Sequence, residues 1–284
     1  MNKRRLSMLL ALTLAFALTA CSGSAAAGSA IPAESSSARL SEDQIELTVF
    51  AASSMTGTLS SILKMYKAVA PNVTISINFD SSGTLKTQIE EGADCDIFIS
   101  AAQKQMDALD VTAGKEANPQ GLDLILSGTR FDLVSNSVVL IVPDGNPSGV
   151  TSFEDAATDK VSLIALGNSD VPVGQYSSEI FTSIGIWEQL MSDQKITYGT
   201  NVKEVLAQVI EGAVDCGVVY STDAAGAAVE VVASAPSGSH KDITYPAAVL
   251  AVSDDIEAAE AFLSYLATDE CTEVFESAGF IIPD

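Results

Sequence analysis

The sequence predicts an α/β protein built as two related lobes, each a mainly parallel sheet flanked by helices. Three observations carry that prediction. Short apolar runs of strand length alternate with stretches whose apolar residues recur at helical spacing, the pattern of parallel strands joined by right-handed crossovers. The alternation runs once through roughly 45–100 and again through 161–221. Two segments, "TQIEEGADCDIFIS" (87–100) and "AQVIEGAVDCGVVYS" (207–221), also share one order of helix, Glu-Gly stop, acidic turn, Cys and buried strand.

In chain order, "IELTVFAA" (45–52) has strand character, and "GTLSSILKMYKAVAP" (57–71) is a helix closed by Pro71. "VTISINF" (73–79) alternates as a strand, "GTLKTQIEEG" (83–92) is a helix stopped at Gly92, and "CDIFIS" (95–100) is a buried strand. "SVVLIVP" (137–143) is a strand ended by Pro143. The second block follows with "VSLIAL" (161–166), a helix from about Gly174 to Ile184, "KITYGT" (195–200), a helix over 202–211 and "CGVVYS" (216–221). "DAAGAAVEVVAS" holds a short helix and a strand, "ITYPAAVLAV" (243–252) a strand, and 258–280 two helices. Lobe 1 is expected to take 44–130 and 241–284, and lobe 2 to take 131–240.

The 14 Lys+Arg against 37 Asp+Glu give a formal charge of −23. Nucleic acid and anionic membrane surfaces require basic patches, so neither is an expected partner. "MNKRRLSMLLALTLAFALTAC" has a basic start and a short apolar stretch, the form of an export signal over 1–20. Its "LTAC" resembles a bacterial lipobox, which implies cleavage before Cys21 and lipidation there. The Ser/Ala/Gly-rich 21–43 is an expected flexible tether reaching roughly 25 Å. The protein is therefore expected to be held by lipid at the outer face of the cell membrane, or in a periplasm. Cys95, Cys216 and Cys271 are odd in number and widely spaced, which is no disulfide framework, and His240 is the single histidine. A zinc or other transition-metal site is not expected.

Four strand-to-helix turns carry more small or hydroxyl residues than capping needs: "AASSMTG" with Ser53 and Ser54, "DSSGT" with Ser81, Ser82, Gly83 and Thr84, "DVPVGQYSS" with Val173 and Gly174, and "GTNVKEV" with Asn201 ahead of Val202. In open α/β sheets such turns sit at the carboxyl ends of strands, where ligands bind. Helix starts present unpaired N–H groups and the positive end of the macrodipole, so together they form an anion cage without a cation. Tyr220, ending "GVVY", can add a phenolic donor at the same level.

These stretches, with "TVFAASSMTGTL", "SSGTLKTQIEEGADCDIFISA", "VPVGQY", "GVVYSTDA" and "ESAGF", resemble the molybdate-binding proteins of ABC transporters over roughly 45–284. The resemblance implies a two-lobed type II periplasmic-binding fold that closes on molybdate or tungstate and delivers it to a membrane permease. It implies hydroxyl and amide contacts from Ser54 and Ser82, amide contacts from Val173 and Val202, and a hydroxyl contact from Tyr220. The oxyanion is then the only metal-bearing group, with no cofactor beside it, and a monomer is expected.

Asp80 departs from the small uncharged residue of many relatives, and Cys95 and Cys216 replace expected small residues. The simplest expectation is that Asp80 points outward or caps from outside. Turned inward, its carboxylate would suit hydrogen phosphate, so phosphate or sulfate capture on the same scaffold is the alternative. A serine-type hydrolase is the distant one. Ser61 and Lys64 fit SxxK inside a helix without the companion motifs, and there is no GxSxG.

Overall fold

The computed structural model describes residues 44–283; the expected export signal, Cys21 and tether lie outside the described residues. The chain opens with β1 (Ile45–Ala52), a 3-10 turn over Ser53–Met55, α1 (Thr56–Val69), β2 (Val73–Asp80), α2 (Ser82–Glu90), β3 (Ile97–Ile99), α3 (Gln103–Asp107), α4 (Gly114–Ala117) and β4 (Phe131–Ser135). It continues through β5 (Val138–Pro143), β6 (Ile164–Gly167), α5 (Pro172–Ser183), α6 (Trp187–Ser192), β7 (Ile196–Gly199), α7 (Val202–Ile210), β8 (Cys216–Tyr220), α8 (Ser221–Ala224) and β9 (Val229–Ser234). β10 (Thr244–Val249), α9 (Ile256–Leu266) and α10 (Asp269–Ser277) complete it.

Periodicity explains the helices. α1 buries Leu59, Ile62 and Tyr66, and α7 buries Val202, Val205, Leu206 and Val209, each a single stripe laid on a sheet. The sheets run β2-β1-β3-β10-β4 and β7-β6-β8-β5-β9, one plan used twice. Both are mixed rather than mainly parallel: β10 lies antiparallel to β3 and β4, and β5 antiparallel to β8 and β9. The reason is topological, because each of those strands enters its sheet by crossing over from the other lobe.

The lobe boundary also moves. The expected split at 130/131 falls before β4, yet β4 pairs with β10 in the first sheet, so the chain changes lobe between Ser135 and Val138. It returns between Ser234 and Thr244. The two crossing segments are tied where the Asn136 N–H donates to the Ile243 carbonyl at 3.2 Å.

The similarity of 87–100 to 207–221 has a structural counterpart shifted by one residue. Ile97 pairs with Val49 in one sheet as Cys216 pairs with Ile164 in the other. The residues ahead of them, Asp96 and Asp215, do the same work: Asp96 accepts from the Thr48 N–H at 2.7 Å, and Asp215 accepts from the Ser162 N–H at 2.7 Å. The equivalent residues are the aspartates, not the cysteines. Burial pushes the Cys95 and Cys216 thiols up to about 12, the state of inert core residues. No helix among the described residues is long and apolar enough to cross a membrane.

Candidate functional site

The carboxyl end of β1 runs into the 3-10 turn that carries Ser54, and Ser82 is the first residue of α2. Across the interface, Val202 is the first residue of α7, and Tyr220 is the last of β8. These four line one cavity between the lobes, with Asp80 and Pro172 also on its wall. Val173 is not a lining residue. It is fully buried as the second residue of α5, directly after Pro172, so its amide is still in the first turn without an intrahelical acceptor. Proline suits the position ahead of it because no N–H is lost there.

The serine pair divides its labour. Ser81 caps α2, its hydroxyl accepting from the Thr84 N–H at 3.1 Å. Ser82 Oγ instead accepts from the Ala101 N–H at 2.9 Å, leaving its own hydrogen for another acceptor. On α7, the Asn201 side chain takes the N–H groups of Lys203 and Glu204 at 3.0 and 3.1 Å, so capping leaves the Val202 amide alone. The Tyr220 hydroxyl is buried with no hydrogen-bond partner among the described residues. Burial also holds its pKa well above the ordinary value, which keeps it a neutral donor. An unpaired buried hydroxyl costs about 1–3 kcal/mol, which an acceptor bound in the cavity would offset.

Among the described residues no Lys or Arg lines the cavity. Lys203 is exposed and lies off the cavity wall, with Nζ 2.6 Å from Oδ1 of Asp223, a carboxylate buried in lobe 2. Burial raises the Asp223 pKa more than the ammonium lowers it. Asp80 is half-buried on the cavity wall, and its carboxylate accepts the N–H of Ser81, the residue that caps α2, at 2.6 Å. Among the described residues no group of three His, Cys, Asp or Glu side chains is placed to hold a metal ion.

The void ringed by these groups is small, about 10 Å³. That is roughly the room one water-sized sphere needs. The lobes meet closely here. A Cβ built on Gly83 of α2 would lie 2.1 Å from the carbonyl oxygen of Asp170, in lobe 2, so only glycine admits this approach. Gly174 does the same within lobe 2, where a Cβ would sit 2.2 Å from the Gly167 carbonyl oxygen. A larger cleft of about 630 Å³ beside Arg130 offers no such convergence, because Arg130 is held by Asp107 and Asp110 at 2.5 and 2.8 Å.

Two residues at the site have no local sequence signal. The Tyr245 hydroxyl lies 2.9 Å from Ser54 Oγ, and Asn136 Nδ2 lies 3.2 Å from the same Tyr245 oxygen. Tyr245 looks like an ordinary strand aromatic and Asn136 like a turn residue. Their contacts span 191 and 109 residues of chain.

The chain matches the model of the bacterial extracellular solute-binding protein family over residues 47–281. It is 38% identical over 242 residues to a Bacillus subtilis protein, YvgL, that bears the name of an ABC transporter substrate-binding lipoprotein, covering 84% of this chain and 88% of that one. It is 35% identical over 242 residues to the molybdate-binding protein ModA of Haemophilus influenzae, covering 83% and 89%. Among solved structures, the periplasmic molybdate-binding protein of Azotobacter vinelandii superposes with a TM-score of 0.72 at 24% identity, covering 84% of this chain and all of that one.

Proposed function

Because the chain belongs to the bacterial extracellular solute-binding protein family, we propose that it captures molybdate or tungstate and hands it to the permease of an ABC transporter. The observation that carries this reading is the convergence, from both lobes, of neutral donors around one small cavity. Ser54, Ser82 and Tyr220 supply hydroxyls, and the helix starts at Val173 and Val202 supply amides. The unpartnered Tyr220 hydroxyl supports it most directly. A compact dianion satisfies such a cage and gains from three helix starts without a counter-charge. The chain's own acidity matters little at this range, since exposed charge is screened beyond about 8 Å.

In this reading the protein is a monomer and a carrier rather than an enzyme. It needs no cofactor and is held outside the cytoplasmic membrane by lipid on Cys21, as the lipoprotein name of the B. subtilis relative favours. Asp80 on the wall favours one competitor, hydrogen phosphate, whose proton needs an acceptor. Calorimetric titration of the mature chain with molybdate, tungstate, sulfate and phosphate separates the two. Molybdate at 1,000 times its Kd should stabilise the fold by ~4.1 kcal/mol. No thermal shift at millimolar molybdate would sink the proposal.

A further inference from the structure

We propose that Asn136 and Tyr245 are positioning residues that fix the polarity of the Ser54 hydroxyl and thereby decide which oxyanions the cage accepts. The inference rests on the oxyanion-capture reading above. Its starting point is a backbone group: the Ser137 N–H lies 2.8 Å from Asn136 Oδ1. A backbone N–H only donates, so that atom is the side chain's carbonyl oxygen and the NH2 faces the other way. Ser221 Oγ donates to the same oxygen at 3.0 Å. Asn136 Nδ2 then donates to the Tyr245 oxygen at 3.2 Å and to Thr222 Oγ1 at 2.9 Å.

A tyrosine oxygen that receives a hydrogen from one side turns its own toward the other. For Tyr245 the other side is Ser54 Oγ, 2.9 Å away. Burial raises the Tyr245 pKa, so the hydrogen stays on it. Ser54 accepts in turn, and its single hydrogen is left for the cavity. Ser82 reaches the same state by a shorter route through the Ala101 N–H. Both serines are thus committed to donate.

Donor-only serines suit molybdate, whose oxygens are all acceptors. At their own positions they offer hydrogen phosphate no acceptor for its P–OH, a role left to Asp80 on the same wall. The relay also spans the hinge, with Tyr245 on β10 of lobe 1, Asn136 on the crossing segment, and Ser221 and Thr222 on α8 of lobe 2.

The relay can be inverted without changing its shape. In Asn136→Asp an oxygen replaces the NH2, so Tyr245 must donate to the carboxylate, Ser54 must donate to Tyr245, and a lone pair faces the cavity. Tyr245→Phe cuts the relay and leaves Ser54 free to rotate. Wild type and both variants are titrated with molybdate, sulfate and phosphate at mildly alkaline pH, where all three are dianions. Melting curves report whether each variant is folded.

Asn136→Asp should weaken molybdate roughly a hundredfold and narrow the molybdate-to-phosphate affinity ratio at least roughly tenfold. The molybdate-to-sulfate ratio should stay put, because the added charge repels every dianion alike. Tyr245→Phe should weaken molybdate roughly three- to tenfold, and it keeps the test open should the aspartate variant not fold. Wild-type ratios in both folded variants overturn the relay alone. A wild-type protein that binds none of the three anions overturns the capture reading, and the relay with it.

Discussion

Replacing Gly83 by Ala should weaken oxyanion binding while leaving the unliganded fold intact. Gly83 is the second residue of α2, and by helix propensity alone the exchange favours that helix by up to about 1 kcal/mol. The added methyl, however, would meet three atoms of Asp170, at 2.1, 2.8 and 2.9 Å, two of them backbone. Backbone cannot swing aside as the end of a long side chain can. The lobes must part locally by about 1.3 Å, from 2.1 Å to the 3.4 Å at which ordinary contact begins. The proposed cage is divided between the lobes, so a gap of that size carries donors on one side past useful hydrogen-bond length. Losing one bond to a charged acceptor costs about 1.5–3 kcal/mol, or roughly 10- to 150-fold in Kd. Calorimetry gives the affinity, and melting curves of the unliganded protein give the control. The expected pattern is an unchanged or slightly raised Tm with a Kd weakened at least tenfold. An affinity within about twofold of wild type would show that Gly83 and Asp170 do not meet in the liganded form, and the closure argument would fail.

Three further outcomes follow from the same contacts. Tyr220→Phe removes a buried hydroxyl without a partner, so unliganded stability should hold or rise while molybdate affinity falls roughly 10- to 100-fold; unchanged affinity removes Tyr220 from the cage. Ser82→Ala also strips the Ala101 N–H of its acceptor, so urea denaturation should show a loss of about 1–3 kcal/mol beside weaker binding. Acid should destabilise the fold. Hydrogen bonding from Lys160 and the Thr151 N–H lowers the Asp155 pKa to about 2, and at Asp110 and Asp215 hydrogen bonds outweigh burial and lower the pKa too. Folded values below the unfolded ones give stability that is complete above about pH 4 and lost as pH falls through the folded values. Melting temperature should therefore hold to about pH 4 and decline toward pH 2, less steeply in Asp155→Asn.

What the sequence made legible was periodic or local. The stripes of α1 and α7 and the alternation of β2 are visible residue by residue, as is the Asn201 cap. β4 was not, because "FDLVS" is only five residues long and gains strand identity from pairing with β10, more than a hundred residues later. α3, α4 and α6 span five, four and six residues, too short to show a period. The cysteines are the conspicuous letters of the internal match, yet the ladders equate Asp96 with Asp215, whose carboxylates bind the neighbouring strand. Four of the five expected site residues share a cavity because helix starts follow strand ends, a local rule. Tyr245 and Asn136 are set by long-range packing and left no trace in the sequence around them.

The central place of β10 in the first sheet fixes an order of events as the chain is made. Lobe 2's sheet draws all its strands from one continuous stretch and is complete once Ser234 has emerged. Lobe 1 has three of its strands within the first hundred residues, yet the strand that joins β3 to β4 arrives only at Thr244–Val249. Until then β3 and β4 each expose an edge, which in a nascent chain is a template for wrong partners. The later half of the protein can thus be finished before the earlier one. β10 is the keystone: its insertion joins β3 to β4, brings Tyr245 up to Ser54 and places the Ile243 carbonyl against the other crossing segment.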